Sequence, residues 1–226
     1  MIYIVGDTHG DQRFFHREQF LPDGDLTAGD YLIICGDFGY IFNNDTTEMY
    51  YLDGLEVLPY TVLFVDGNHE NFPAIYDYPT VEWHGGKIHQ IRKNVFHLMR
   101  GEVFDIDGRT FFAMGGAHSI DRDLRTEGQS WWPQELPQDE EYRNAETNLE
   151  KHGFKVDYIL THTLPRSAVV HVCAEPSDEE ERLASFLEWV MQHTEYRHWY
   201  CGHWHCDMEL PEERITILKK GIVEPA

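Results

Sequence analysis

Thr61-Val62-Leu63-Phe64-Val65-Asp66-Gly67-Asn68-His69-Glu70 joins five apolar or β-branched residues to a loop of polar side chains that can bind metal. A run with no polar alternation reads as a strand buried on both faces, the kind found in parallel sheets. The polar loop starts at the strand's carboxyl end, where α/β proteins gather their sites. The same pattern recurs along the chain. Residues 1–5 run into Gly6-Asp7-Thr8-His9-Gly10, and Tyr31–Cys35 into Gly36-Asp37-Phe38-Gly39-Tyr40. Residues 156–160 run into Thr161-His162-Thr163, and residues 197–201 into Gly202-His203-Trp204-His205.

Helical patterns lie between some of these strands. Residues 48–58 carry Met49, Leu52 and Leu55 at helical spacing, with Pro59 as a stop. Tyr142, Ala145 and Leu149 share a face of a helix over 139–152, which Gly153 ends. Ser177-x-x-Glu180 reads as a capping box before the stripe Leu183, Phe186, Leu187, Val190 and Met191. Between the third and fourth of the buried strands the texture changes to an antiparallel meander over 87–91, Val95–Leu98, Glu102–Ile106 and 110–114. Asp107-Gly108 supplies a hairpin turn within it. The chain is therefore mixed: strand–helix units, a meander, then more strand–helix units. The loop 115–137 is long for a compact domain, and such loops commonly cover a site.

Composition narrows the function. The 226 residues carry 18 Lys and Arg against 40 Asp and Glu, a formal charge of −22. That charge disfavours extended nucleic acid, yet bound divalent cations can reverse the local field and admit a phosphate. Hydrophobic residues at 42% and aromatics at 14% exclude a disordered acidic tail. No apolar run of membrane-spanning length occurs, and the short apolar start has no basic head. A cytoplasmic protein is the expectation. Cys35, Cys173, Cys201 and Cys206 are too few and too irregular for a disulfide framework, so reduced thiols are expected.

The five loops together supply Asp7, His9, Asp37, Asn68, His69, His162, His203 and His205. Carboxylates and imidazoles suit Mn, Fe and Zn, with an amide oxygen as a neutral addition. Eight such groups exceed one ion's needs and suit two ions that share a carboxylate, which together clamp a phosphoryl group. Glycines at 6, 36, 67 and 202 let the backbone approach closely. Any one of these short motifs is weak; five of them, each after an expected strand, are not.

This ordered set, Gly6-Asp7-Thr8-His9, Gly36-Asp37, Gly67-Asn68-His69-Glu70, Thr161-His162 and Gly202-His203-Trp204-His205, resembles the calcineurin-like metallophosphoesterases. The resemblance spans residues 6 to 205 and implies one domain over 1–226. It implies a four-layer α/β/β/α sandwich of two mixed β-sheets flanked by helices. It further implies two divalent cations, with Mn expected and Fe or Zn possible. Asp7, His9, Asp37 and His205 would hold the first. Asp37 would bridge, and Asn68, His162 and His203 would complete the second. A bridging hydroxide would attack phosphorus, and His69, protonated, would stabilise the transition state or donate to the leaving group. The expected substrate is a small phosphomonoester or phosphodiester. A nuclease or cyclic-nucleotide phosphodiesterase, and a non-catalytic scaffold of the same fold, are the alternatives.

The chain departs from one branch of that family. Serine/threonine phosphatases place an acid and an arginine after the bridging aspartate in Gly-Asp-x-x-Asp-Arg-Gly, whereas this chain reads Gly36-Asp37-Phe38-Gly39-Tyr40-Ile41-Phe42. Purple acid phosphatases use a tyrosine ligand at the spacing of Tyr40, but there the tyrosine fills the place of a missing histidine, and here His9 is present. Tyr40 is expected to pack. In Gly115-Gly116-Ala117-His118-Ser119-Ile120-Asp121-Arg122, His118 can face a phosphate and Arg122 or Arg125 can clamp one. Arg122 is the one expected there. Trp131-Trp132 can close the site or plug the long loop.

Overall fold

The computed structural model describes residues 1–15, 26–173 and 175–225. Two mixed sheets form its centre. The first runs in the order β13-β1-β2-β3-β6-β5-β4, from β1 (Ile2–Val5), β2 (Tyr31–Cys35), β3 (Thr61–Val65), β4 (Thr80–Trp83), β5 (Gly86–Arg92), β6 (Val95–Leu98) and β13 (Ile222–Val223). The second runs β11-β12-β10-β9-β8-β7, from β7 (Glu102–Ile106), β8 (Arg109–Met114), β9 (Tyr158–Thr161), β10 (His198–Cys201), β11 (Met208–Leu210) and β12 (Ile215–Ile217). Both have a parallel centre, β1-β2-β3-β6 and β8-β9-β10-β12, closed by antiparallel neighbours.

The period of two in each strand assigns its side chains to layers. Ile2, Ile4, Ile33, Leu63 and Val65 meet Phe104, Phe111, Ala113 and Leu160 between the sheets. The alternate residues Tyr3, Val5, Leu32, Ile34, Val62 and Phe64 face outward. Helix α1 (Thr46–Glu56) covers them with Leu52 and Leu55, and α2 (Phe72–Tyr76) with Ala74 and Ile75. On the other side Phe112, Met114, Ile159 and Trp199 meet α3 (Asp139–Lys151), α4 (Arg166–Val169) and α5 (Glu181–His193) through Leu149, Val169, Leu187 and Val190. Burying each such apolar side chain contributes roughly 1.5–3 kcal/mol. The result is the expected four-layer sandwich.

Local differences have local causes. Helix α1 starts at Thr46 rather than 48 because Asp45 caps it, accepting from the Thr47 and Glu48 amides at 2.9 Å. Ser177 Oγ accepts the Glu180 amide at 3.2 Å, but α5 begins only at Glu181. The Glu180 side chain is buried and makes no cap bond, so the expected box does not close. Strand β4 was not expected: its side chains are exposed or half-buried, and it only edges β5. The long loop holds two 3-10 turns, Arg122–Leu124 and Pro133–Glu135. No helix among the described residues is long and apolar enough to cross a membrane.

Candidate metal centre

The loops after β1, β2, β3, β9 and β10 converge. Asp7, His9, Asp37 and His205 each offer a donor atom, all within 4.8 Å of one another. His9 Nε2 lies 3.6 Å from Asp37 Oδ2, and His205 Nε2 lies 3.1 Å from Asp7 Oδ2. A second group gathers about Asn68 Oδ1, with His162 Nε2 at 3.1 Å and His203 Nδ1 at 3.2 Å. His162 Nε2 is also 3.4 Å from Asp37 Oδ1. Asp37 thus turns one carboxylate oxygen to each group.

The donor set fits cations. Asp7 and Asp37 are only 2% and 1% exposed, and Asp7 Oδ2 makes no hydrogen bond. Buried carboxylates demand positive charge or full hydrogen bonding. Burial opposes ionisation of both, yet the neighbouring histidines hold both pKa values below the ordinary carboxylate range. Burial also opposes a charge on His162, but Asp37, Asp7 and the Cys35 carbonyl lift its pKa to about 10. The two buried carboxylates draw a proton onto His162, a positive charge that divalent cations would supply instead, while burial holds His9 and His203 toward the neutral form that can ligate them.

Residues behind the donors orient them. His162 Nδ1 donates to the Cys35 carbonyl at 2.7 Å, which leaves Nε2 to face Asp37 and Asn68. Asn68 Nδ2 donates to Ser119 Oγ at 3.0 Å, and Ser119 Oγ donates to Glu135 at 2.7 Å. That chain turns Asn68 Oδ1 inward. The His203 amide donates to Asp7 Oδ1 at 2.8 Å. The glycines before Asp37 and His203 are steric in purpose. A Cβ at Gly36, whose φ is +93°, would sit 2.1 Å from His162 Nδ1, and one at Gly202 would sit 2.1 Å from Asp7 Oδ1. His9, Asp37, His203 and His205 all take left-handed backbone, with φ of 46°, 50°, 67° and 53°. For residues other than glycine this costs roughly 1–3 kcal/mol each and collects at functional sites.

His69 stands outside the donor set. Its amide donates to Asp37 Oδ1 at 2.9 Å, and its ring faces the cleft beside His9, with ring centroids 5.4 Å apart. In place of a supporting acid the ring meets Arg125, whose Nη1 and Nη2 lie 3.1 and 3.3 Å from Nδ1 and Nε2. Burial lowers the His69 pKa, Asp37 opposes, and Arg125 adds to the lowering. This environment favours a neutral imidazole over the expected imidazolium. Glu70 faces away, accepting from the Phe38 and Gly67 amides at 2.6 and 2.7 Å and tying the second loop to the third.

The two arginines offered as a phosphate clamp are placed differently. Arg122 points elsewhere, 4.8 Å over the Trp131 ring and 3.3 Å from Glu179. Arg125 is the arginine at the site, aimed by Asp121 through contacts of 2.7 and 2.9 Å. Three positions apart around a 3-10 turn, the two point in different directions, and no local pattern says which. His118 lines the same cleft. Tyr40 packs among Phe15, Phe38 and Tyr51, and Trp132 is buried edge-on to Phe42. Ser119 and Glu135, which position Asn68, carried no signal of that role in the sequence. Asp66 is buried beneath the third loop, where His97 and Arg100 hold it.

No curated protein matches the chain. Among solved structures it is similar to one described as a 5′-nucleotidase from Staphylococcus aureus, in complex with α-ketoglutarate. Identity is 16% over 97% of this chain and 48% of that one, with a TM-score of 0.51, so the chain spans about half its length. It is also similar to a phosphopantetheinyl hydrolase from Mycobacterium tuberculosis, at 15% identity over 96% of this chain and 87% of that one, with a TM-score of 0.52. At such identities the likeness is one of fold. The sequence itself matches the calcineurin-like phosphoesterase profile over residues 1–207, most of its length, and the chain belongs to that family.

Proposed function

We propose that this protein hydrolyses small phosphomonoesters or phosphodiesters at a site that holds two divalent cations. One observation carries the reading: Asp37 divides its two oxygens between two groups of donors. Asp7, His9, Asp37 and His205 would hold one cation, and Asp37, Asn68, His162 and His203 the other. Mn is the preferred ion, and Fe and Zn suit the same donors. When bound, such ions neutralise phosphate charge and lower the pKa of water for attack on phosphorus.

The chain's own groups do the rest. The His69 ring faces the same cleft, of about 630 Å³, as Asp37, Asn68, His203 and His205. As a neutral imidazole it donates one N–H to a phosphoryl or leaving-group oxygen. Arg125 presents a guanidinium beside it, and a bound phosphate would draw that fork from the His69 ring. Asp121 keeps the guanidinium aimed meanwhile. Residues 1–226 act as one domain in this reading, since both sheets share the core between them. A cytoplasmic setting agrees with four cysteines that form no disulfide.

The test is turnover of para-nitrophenyl phosphate and bis-para-nitrophenyl phosphate with Mn, before and after chelation. We expect hydrolysis that chelation abolishes and Mn restores. No chelator-sensitive turnover on either ester would leave a scaffold with a phosphoesterase fold.

A further inference from the structure

Strand β12 runs parallel to β10 in the second sheet, so its carboxyl end opens on the same edge as His203 and His205. The five loops that carry donors therefore have a sixth beside them, Leu218-Lys219-Lys220-Gly221. It lies beyond the residues that the family profile matches. Every amide of this segment is held. The Leu218 amide donates to the Cys201 carbonyl at 2.8 Å. The Asp207 carboxylate accepts the amides of Lys219, Lys220 and Gly221 at 2.8, 3.0 and 2.9 Å. The Leu218 carbonyl packs so closely on Gly6, next to Asp7, that a Cβ there would sit 1.9 Å from its oxygen.

That rigid backbone aims a charge. Lys219 Nζ lies 3.8 Å from Asp7 Oδ2, and its side chain is only 24% exposed. Asp7 Oδ2 is the oxygen that His205 Nε2 approaches to 3.1 Å. Among the described residues no other lysine or arginine forms an ion pair with Asp7 or Asp37. The charge is felt past Asp7: burial lowers the His9 pKa, Asp37 and Asp7 oppose, and Lys219 adds to the lowering. Lys219 does not line the cleft that His69, Arg125 and Asp37 share, so the carboxylate is its partner rather than a phosphate bound in that cleft. A cation held by Asp7, His9, Asp37 and His205 would have to share Asp7 with this ammonium, and like charges at such range repel.

We propose that the Lys219 ammonium competes with the first cation for Asp7, so that the chain carries its own antagonist of metal binding at that half of the centre and not at the other. This rests on the two-cation reading above and adds to it a residue that sets the occupancy of one half. The competition has two sides. A lysine beside a buried carboxylate offsets part of the cost of burying it, which stabilises the fold before a metal binds. The same charge must withdraw toward solvent as a divalent cation enters, and that cation is held less tightly in consequence.

Calorimetric titration of the chelated full chain with Mn tests this in the wild type, Lys219→Met and Lys219→Arg. Methionine keeps much of the stem and removes the charge; arginine keeps the charge. We expect Lys219→Met to tighten one of two binding steps by roughly ten-fold and to change the other far less. The same variant should lower the melting temperature of the chelated protein by about 2–4 °C, and Lys219→Arg should follow the wild type in both respects. A lysine that only packs would not tighten Mn when removed. Mn affinities that Lys219→Met leaves unchanged, weakens or tightens equally in both steps would overturn the proposal. So would weaker binding of inorganic phosphate to the Mn-loaded variant with unchanged Mn affinity, which would place the ammonium on the substrate. A wild type that binds no Mn would overturn the two-cation reading and this one with it, whereas two-step Mn binding without turnover of para-nitrophenyl phosphate would count only against the hydrolytic reading.

Discussion

The two halves of the metal centre are built differently. Around Asp7, His9, Asp37 and His205 the imidazoles face solvent, with side-chain exposures of 35% for His9 and 57% for His205. Around Asn68 two of the three donors are sunk: His162 is fully buried and Asn68 is 4% exposed, with His203 half-buried beside them. Each sunk donor also has a second residue behind it, Cys35 for His162 and Ser119 with Glu135 for Asn68. Pre-oriented donors in a dry pocket hold an ion more firmly and exchange it more slowly than mobile donors at a rim. In the two-cation reading proposed above, the contrast teaches that Asp37 would couple a firm half to an exchangeable one.

The harshest way to break that contrast is to remove what the halves share. We expect Asp37→Asn to strip cations from both halves and lower turnover on the order of 10²–10³-fold, read by elemental analysis beside kinetics. Full occupancy of both sites in that variant would show that Asp37 is not shared. His69→Ala should lower turnover roughly 10²-fold or more while both ions stay bound. Loss of an ion there would place His69 among the ligands. Ser119→Ala sharpens the contrast from the sunk side: it should weaken one cation by about 10–100-fold and leave the rim ion alone. A titration that weakens both ions equally would mean that Ser119 does not act through Asn68.

The smallest effect concerns stability under the sunk half. Asp66 is fully buried; burial would raise its pKa, but Arg100 and His97 hold it at about 2 against an ordinary 3.8. A depressed folded-state pKa gives stability that is complete above the unfolded value and is lost as pH falls through the folded one. Chemical unfolding between pH 5 and pH 2 should therefore show a loss centred below about pH 4. Asp66→Asn should lack that part of the slope. An identical slope in that variant would assign the acid sensitivity to other carboxylates.

The large features of the molecule were legible because they obey short-range rules. Buried strands such as Tyr31–Cys35 and Thr61–Val65 are continuous apolar runs, and their ends carry the donors. The stripe through Leu183, Leu187 and Val190 reads directly as a helix face. What escaped depends on partners far away in sequence. Strand β4 exists because β5 pairs with it, not because Thr80–Trp83 is strongly patterned. Glu135 matters to the site through Ser119, sixteen residues away, and Ser119 through Asn68, fifty-one away. Arg125 and Arg122 are chemically identical, and only the turn between them separates a residue at the site from one on the surface.

The left-handed backbone at His9, Asp37, His203 and His205 has a consequence for anyone engineering this protein. Whole domains are stable by only about 5–15 kcal/mol, so four strained residues give up an appreciable share. Two of the four are exposed at the rim, where truncation leaves no hole in the core. Glycine at His205 would relieve that strain but would also strip the buried Asp7 carboxylate of an imidazole 3.1 Å away, so the strain cannot be removed without disturbing the donors.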